Sequence, residues 1–78
     1  MNLKDFLLQK TKIGDLCAIS DRGYLVATAY IDDEDLFIKY MNYDLLANKV
    51  VSHHYDYLNV NDENGNINQI RCIFIDTK

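Results

Sequence analysis

The segment that most restricts the fold of this chain is Tyr24-Leu25-Val26-Ala27-Thr28-Ala29-Tyr30-Ile31, an unbroken run dominated by aliphatic and aromatic residues. Its two alternating sets, Tyr24/Val26/Thr28/Tyr30 and Leu25/Ala27/Ala29/Ile31, are both largely apolar. The run therefore predicts a strand near the middle of a sheet, covered on both faces. Seventy-eight residues leave room for one core and a single globular domain spanning 1–78. A chain of that length hides only roughly 60% of the surface its unfolded form exposes.

The neighbouring segments divide at clear punctuation. Asn2 is placed to cap a short amphipathic helix over residues 3–10, with Asp5 in its first turn and Leu3, Phe6 and Leu7 on one side. Gly14 breaks that pattern, Leu16-Cys17-Ala18-Ile19 reads as a strand, and Ser20-Asp21-Arg22-Gly23 is a turn signal leading into the long run. Leu36-Phe37-Ile38 reads as a short strand, and Asn42 offers a cap to a one- or two-turn helix around Leu45 and Leu46. Lys49 to Leu58 is extended, residues 59–66 form a loop, and Gln69 to Ile75 closes the chain as a second central strand. Ten aspartates against two glutamates fit a chain rich in turns and strand ends, since aspartate caps and turns readily but is a poor helix interior residue.

This order predicts an α+β domain: a short N-terminal helix packed on a curled antiparallel β-sheet of four to five strands, with a small barrel equally compatible. No apolar run approaches the roughly 20 residues needed to span a membrane, and the first residues lack a secretory signal pattern. The expected location is the cytoplasm, with Cys17 and Cys72 as reduced thiols inside apolar strands.

Motifs that carry chemistry are incomplete. Asp62, Asn64 and Gly65 match positions 3, 5 and 6 of a calcium loop, but Val60 and Arg71 stand where the ion needs carboxylates. The plainer reading is a solvated hairpin loop. His53 and His54 are adjacent, so on an extended segment they point to opposite faces and are poorly placed to share a metal. Isolated glycines at 14, 23 and 65 form no phosphate-cradling loop, and Ser20 and Ser52 lie outside any nucleophile motif. No cofactor, metal or catalytic residue is assigned, and the expectation is a non-enzyme.

Surface character remains. A net charge of −4 works against direct binding to nucleic acid, where affinity comes from basic side chains neutralising phosphates. Asp32, Asp33, Glu34 and Asp35 form an acidic run, either a solvated loop or a patch that docks on a basic partner. Six tyrosines supply rigid apolar area with polar tips, and Tyr55 and Tyr57 share one face of their extended segment. The candidate interaction surface is therefore Asp32, Asp33, Glu34, Asp35, Tyr55 and Tyr57.

Ile13-Gly14-Asp15-Leu16, Tyr30 through Ile38 and Asp44-Leu45-Leu46 together resemble small uncharacterised proteins of bacteriophages and prophages of low-GC Gram-positive bacteria, similar in length and in opening with a short Leu/Phe-bearing helix followed by strands. The likeness spans Leu3 to Ile75 and carries over no functional residues. It implies a mobile-element accessory protein that binds and inhibits a host factor. The expectation from all of this is a small acidic protein-interaction protein, self-associating, with a protein partner. The alternatives are a small-ligand or nucleotide-binding domain with a tyrosine-lined pocket between helix and sheet, and a structural subunit of a larger assembly.

Overall fold

A computed structural model describes residues 1–32 and 43–78. The chain runs through α1 (Leu3–Lys10), β1 (Leu16–Asp21), β2 (Tyr24–Tyr30), α2 (Tyr43–Ala47), β3 (Val50–Asn61) and β4 (Ile67–Thr77).

Eight residues are too few for a helix to persist alone in water. Local caps and burial hold α1 instead. The Asn2 side chain accepts the Asp5 amide at 2.9 Å, and at the other end the Thr11 hydroxyl donates to the Leu7 carbonyl at 2.6 Å. Leu3, Phe6 and Leu7 project from one side and are fully buried. Each such side chain contributes roughly 1.5–3 kcal/mol relative to its exposed state. They meet Cys17 and Ile19 of β1, Ile73 and Ile75 of β4, Ile31, and Leu46 of α2 in one cluster. The core thus lies on a single face of the sheet.

Strand order is β2-β1-β4-β3, with β1/β2 and β3/β4 antiparallel and β1/β4 parallel. The expected α+β class holds, but the sheet is mixed rather than wholly antiparallel, because β4 returns beside β1 in the same direction. Among the described residues β2 and β3 are its outer strands, and it does not close into a barrel.

The long run expected at the centre is an edge strand. Tyr24, Leu25, Val26 and Tyr30 of β2 are half or more exposed, and among the described residues only β1 pairs with it. The Asp21–Tyr24 turn places β2 on the outer side of β1, and the inner side is taken by β4, which is central as expected. Small Ala27 and Ala29 are the β2 residues opposite the buried Ile19 and Cys17, so this strand adds little bulk to the core. Leu36-Phe37-Ile38, Asn42 and the acidic positions 33 to 35 lie outside the described residues.

The β1–β2 turn has two central residues, Arg22 at φ 53° and Gly23 at φ 87°, the positive pair that a right-twisted two-residue hairpin requires. A Cβ built on Gly23 would meet nothing within 4 Å, so the cost of filling it is purely conformational. Gly23→Ala is expected to lower stability by about 1 kcal/mol, measured by urea titration. Arg22→Asn should be neutral or slightly stabilising, because asparagine tolerates the left-handed region. Equal losses at both positions would contradict this turn.

The β3–β4 hairpin is the longest feature. The expected loop of residues 59–66 is shorter, since β3 continues to Asn61 and β4 begins at Ile67. Asp62 organises the turn: its amide donates to the Asn66 carbonyl at 2.9 Å, and its Oδ1 accepts the Asn64 and Asn66 amides. These bonds hold the Asp62 carboxyl below its ordinary range. The carboxylate that resembled a calcium ligand is thus committed to the backbone of its own turn.

Candidate interaction surface

Among the described residues, β1 pairs with β4 only at Cys72–Thr77, whereas β3 pairs with β4 along its length. The segments from Tyr57 to Asn61 and from Ile67 to Arg71 therefore leave the four-stranded body as a two-stranded arm. At about 3.4 Å per residue, five residues carry it some 17 Å outward, in a molecule 40 Å in its longest dimension. Tyr57, Leu58, Val60 and Ile67 are exposed on this arm, with Ile67 at 71%. A lone two-stranded ribbon is at best marginally stable in water, so a surface of this kind gains from being covered.

The base of the arm is fixed on the α1 side by a row of contacts. Phe6 meets His53 edge-on at 4.9 Å between ring centroids, His53 meets Tyr55 at 5.5 Å, and the Arg71 guanidinium lies 5.1 Å from the Tyr55 ring centre. Arg71 then grips Asp15 with both arms of its fork, Nε to Oδ1 at 3.0 Å and Nη2 to Oδ2 at 2.6 Å. Asp15 is almost wholly buried, and its Oδ2 also accepts the Lys12 amide at 2.9 Å. Its hydrogen bonds raise the Arg71 guanidinium further above its ordinary range.

Tyr55 and Tyr57 share the α1 side, as their spacing predicts: one is packed at the base of the arm and the other lies farther out. Asp32 is exposed just beyond buried Ile31. Sequence reasoning missed Arg71 and Asp15, which join the arm to the start of β1. The available signals were an aspartate directly after Gly14 at the start of an apolar strand, and a single arginine inside the apolar closing strand.

The opposite face of the sheet presents a different set. His54 stacks on Phe74 with centroids 4.8 Å apart and planes 9° from parallel. The two histidines therefore sit on opposite faces, each against its own aromatic neighbour. Both helices contribute to the core on the α1 side, while Phe74, Leu58, Val60 and Tyr30 remain exposed.

Cys17 and Cys72 are free and buried. Burial pushes the Cys17 thiol up to about 12, and the neighbouring Asp15 carboxylate adds to the shift. The unfolded chain, with its thiol near 9.0, releases this proton first. The contribution of the protonated thiol to stability is intact below that pH and declines as pH rises towards 12. At pH 8 a thiol-exchange reagent is expected to leave both cysteines of the folded chain unmodified and to label both after denaturation. Rapid labelling of the native protein would contradict their burial.

Between α1 and the sheet, where the sequence suggested a tyrosine-lined ligand pocket, Leu3, Phe6 and Leu7 pack against Cys17, Ile19, Ile73 and Ile75. A depression of about 300 Å³ lies instead at the arm's base, lined by Lys12, Asp15, Tyr57, Gln69 and Arg71 among others. Among the described residues no group of three or more His, Cys, Asp or Glu side chains is placed to hold a metal ion, and no helix is long and apolar enough to cross a membrane. No protein-family model, curated protein or solved structure matches the chain.

Proposed function

We propose that this chain is a non-catalytic interaction module that meets a protein partner through the projecting β3–β4 arm and the outer edge of β3, in the setting of a phage or prophage accessory protein. The observation that carries the reading is the arm itself: two strands extending beyond the sheet, with Tyr57, Leu58, Val60 and Ile67 exposed. The Val50 amide at the start of β3 donates to the Met1 carbonyl, and beyond it β3 is, among the described residues, a long edge without proline or lysine, the residues that commonly discourage strand pairing. Inert buried thiols and histidines held apart by separate aromatic contacts support a surface role over nucleophilic chemistry. The acidic run from Asp32 to Asp35 would add charge complementarity towards a basic partner.

A photo-crosslinking side chain at Leu58, in the full chain produced in its native host cell, is expected to give discrete adducts that excess unlabelled protein suppresses. The same group at Lys4, exposed on α1, should give none. Absence of adducts from Leu58, or equal labelling from both sites, would contradict the reading. The depression at the arm's base, with Lys12 and Arg71 beside Tyr57, favours a small anionic ligand as the second reading. Thermal shift against a panel of nucleotides addresses it: stabilisation by one compound supports it, and uniform silence removes it.

A further inference from the structure

We infer that Asn64, at the tip of the arm, is a self-modification site: the backbone nitrogen of Gly65 displaces its side-chain amide, and the hydrogen bonds made by Asp62 set how fast this happens. The inference goes beyond the interaction reading above and does not depend on it.

Asparagine is among the thermolabile residues, and the residue that follows it decides how readily the backbone attacks its side chain. A side chain on that next residue obstructs the approach. Of the eight asparagines in the chain, Asn64 alone precedes a glycine. Its neighbours give the contrast, since Asn61 precedes Asp62, Asn66 precedes branched Ile67 and Asn68 precedes Gln69. Asn64 and Gly65 are exposed, and a Cβ built on Gly65 would meet nothing within 4 Å. Water and hydroxide therefore reach both groups, as they do at other projecting loop tips.

The step is intramolecular. The Gly65 amide loses its proton to hydroxide, and its nitrogen attacks Asn64 Cγ. The N–Cγ bond forms, the Cγ–Nδ2 bond breaks, and the departing nitrogen takes a proton from water and leaves as ammonia. Water then opens the five-membered imide at either of its carbonyls. Opening at one gives aspartate. Opening at the other gives isoaspartate, whose main chain runs through the former side chain and is one carbon longer. Either product adds a carboxylate beside Asp62 and Glu63.

The folded turn holds this chemistry back. The Gly65 amide donates to the Asp62 carbonyl at 3.1 Å, which closes a turn around Glu63 and Asn64, and Gly65 follows in the left-handed region at φ 78°. Forming the imide requires the peptide plane after Asn64 to rotate until its nitrogen eclipses Cβ, and that rotation breaks the Gly65–Asp62 bond. The Asp62 side chain opposes it from both sides, because its Oδ1 accepts the Asn64 and Asn66 amides at 2.9 Å each. Attack thus proceeds from the opened turn, whose population Asp62 controls.

Peptide mapping by mass spectrometry, after incubating the full chain at mildly alkaline pH, tests this. Product is expected at Asn64 ahead of every other asparagine, with a rate that rises in proportion to hydroxide. Asp62→Ala removes two backbone hydrogen bonds and should speed the reaction about tenfold. Asp62→Asn keeps an oxygen acceptor and should stay within a few-fold of wild type, while the urea-unfolded chain should react fastest. The tip lies outside the core cluster, so circular dichroism should show each variant folded. The comparison of native with unfolded wild type needs no variant. Reaction at Asn66 or Asn68 that matches Asn64, a native rate equal to the unfolded one, no product even after unfolding, or a folded Asp62→Ala chain no faster than wild type would each overturn the inference. None of these results bears on whether Leu58 crosslinks to another protein.

Discussion

Arg71→Ala is expected to lower the stability of the folded chain by about 3–5 kcal/mol, because it strands a buried carboxylate. Asp15 is 1% exposed and accepts two hydrogen bonds from the guanidinium. Without them, among the described residues, the Lys12 amide is what remains on that carboxylate. Small domains have total stabilities of about 5–15 kcal/mol, so a large share would be lost. At roughly 4–8 °C per kcal/mol for a domain of this size, the melting temperature should fall by at least about 12 °C. Replacing both partners, Asp15→Leu with Arg71→Met, should recover much of the loss, since an intact buried ion pair contributes little net stability. Thermal melts of the single and double variants check this, and a loss below about 1 kcal/mol for Arg71→Ala would mean that Asp15 is solvated in the native state.

Phe6→Ala is the second large effect, at about 3–5 kcal/mol. The ring is 2% exposed and lies at the centre of the contact between α1 and the sheet, with its neighbour His53 at 4.9 Å. Because α1 is too short to hold its shape without this packing, the loss should release the helix as well as open a cavity. Leu8, on the outer side of α1 and 48% exposed, provides the control. Leu8→Ala should shift stability by no more than about 0.5 kcal/mol. Denaturant titration of the two variants measures the contrast, and similar losses at both positions would refute the packing described for α1.

Local features of the fold were legible because their causes are local. The Asn2 cap, the apolar side of α1, the Arg22-Gly23 turn, the short helix around Leu45 and Leu46, and the opposite facing of His53 and His54 all follow from neighbours a few residues apart. The position of β2 did not follow, since a run apolar on both alternating sets shows only that a strand is sticky. Whether it is covered depends on which side of β1 is taken by β4, more than forty positions later in the chain. The parallel β1/β4 pairing and the Arg71–Asp15 bridge, spanning 56 positions, are equally long-range and leave no periodic trace. At the candidate surface the shared face of Tyr55 and Tyr57 was readable from their spacing. The neighbours that divide their roles, Arg71 over one ring and the open arm around the other, were not.

The reading proposed here has a partner meet the projecting arm and the outer edge of β3, and residue-resolved amide hydrogen exchange examines that edge directly. In dilute solution the amides of His54, Asp56, Leu58 and Val60 should be protected by β4 while those of Tyr55 and Asn59 exchange freely. Adding the partner captured through Leu58 should slow the Tyr55 and Asn59 amides as that partner covers the edge. Uniform protection along β3 of the isolated chain, or Tyr55 and Asn59 amides that stay fast once that partner is bound, would contradict the account.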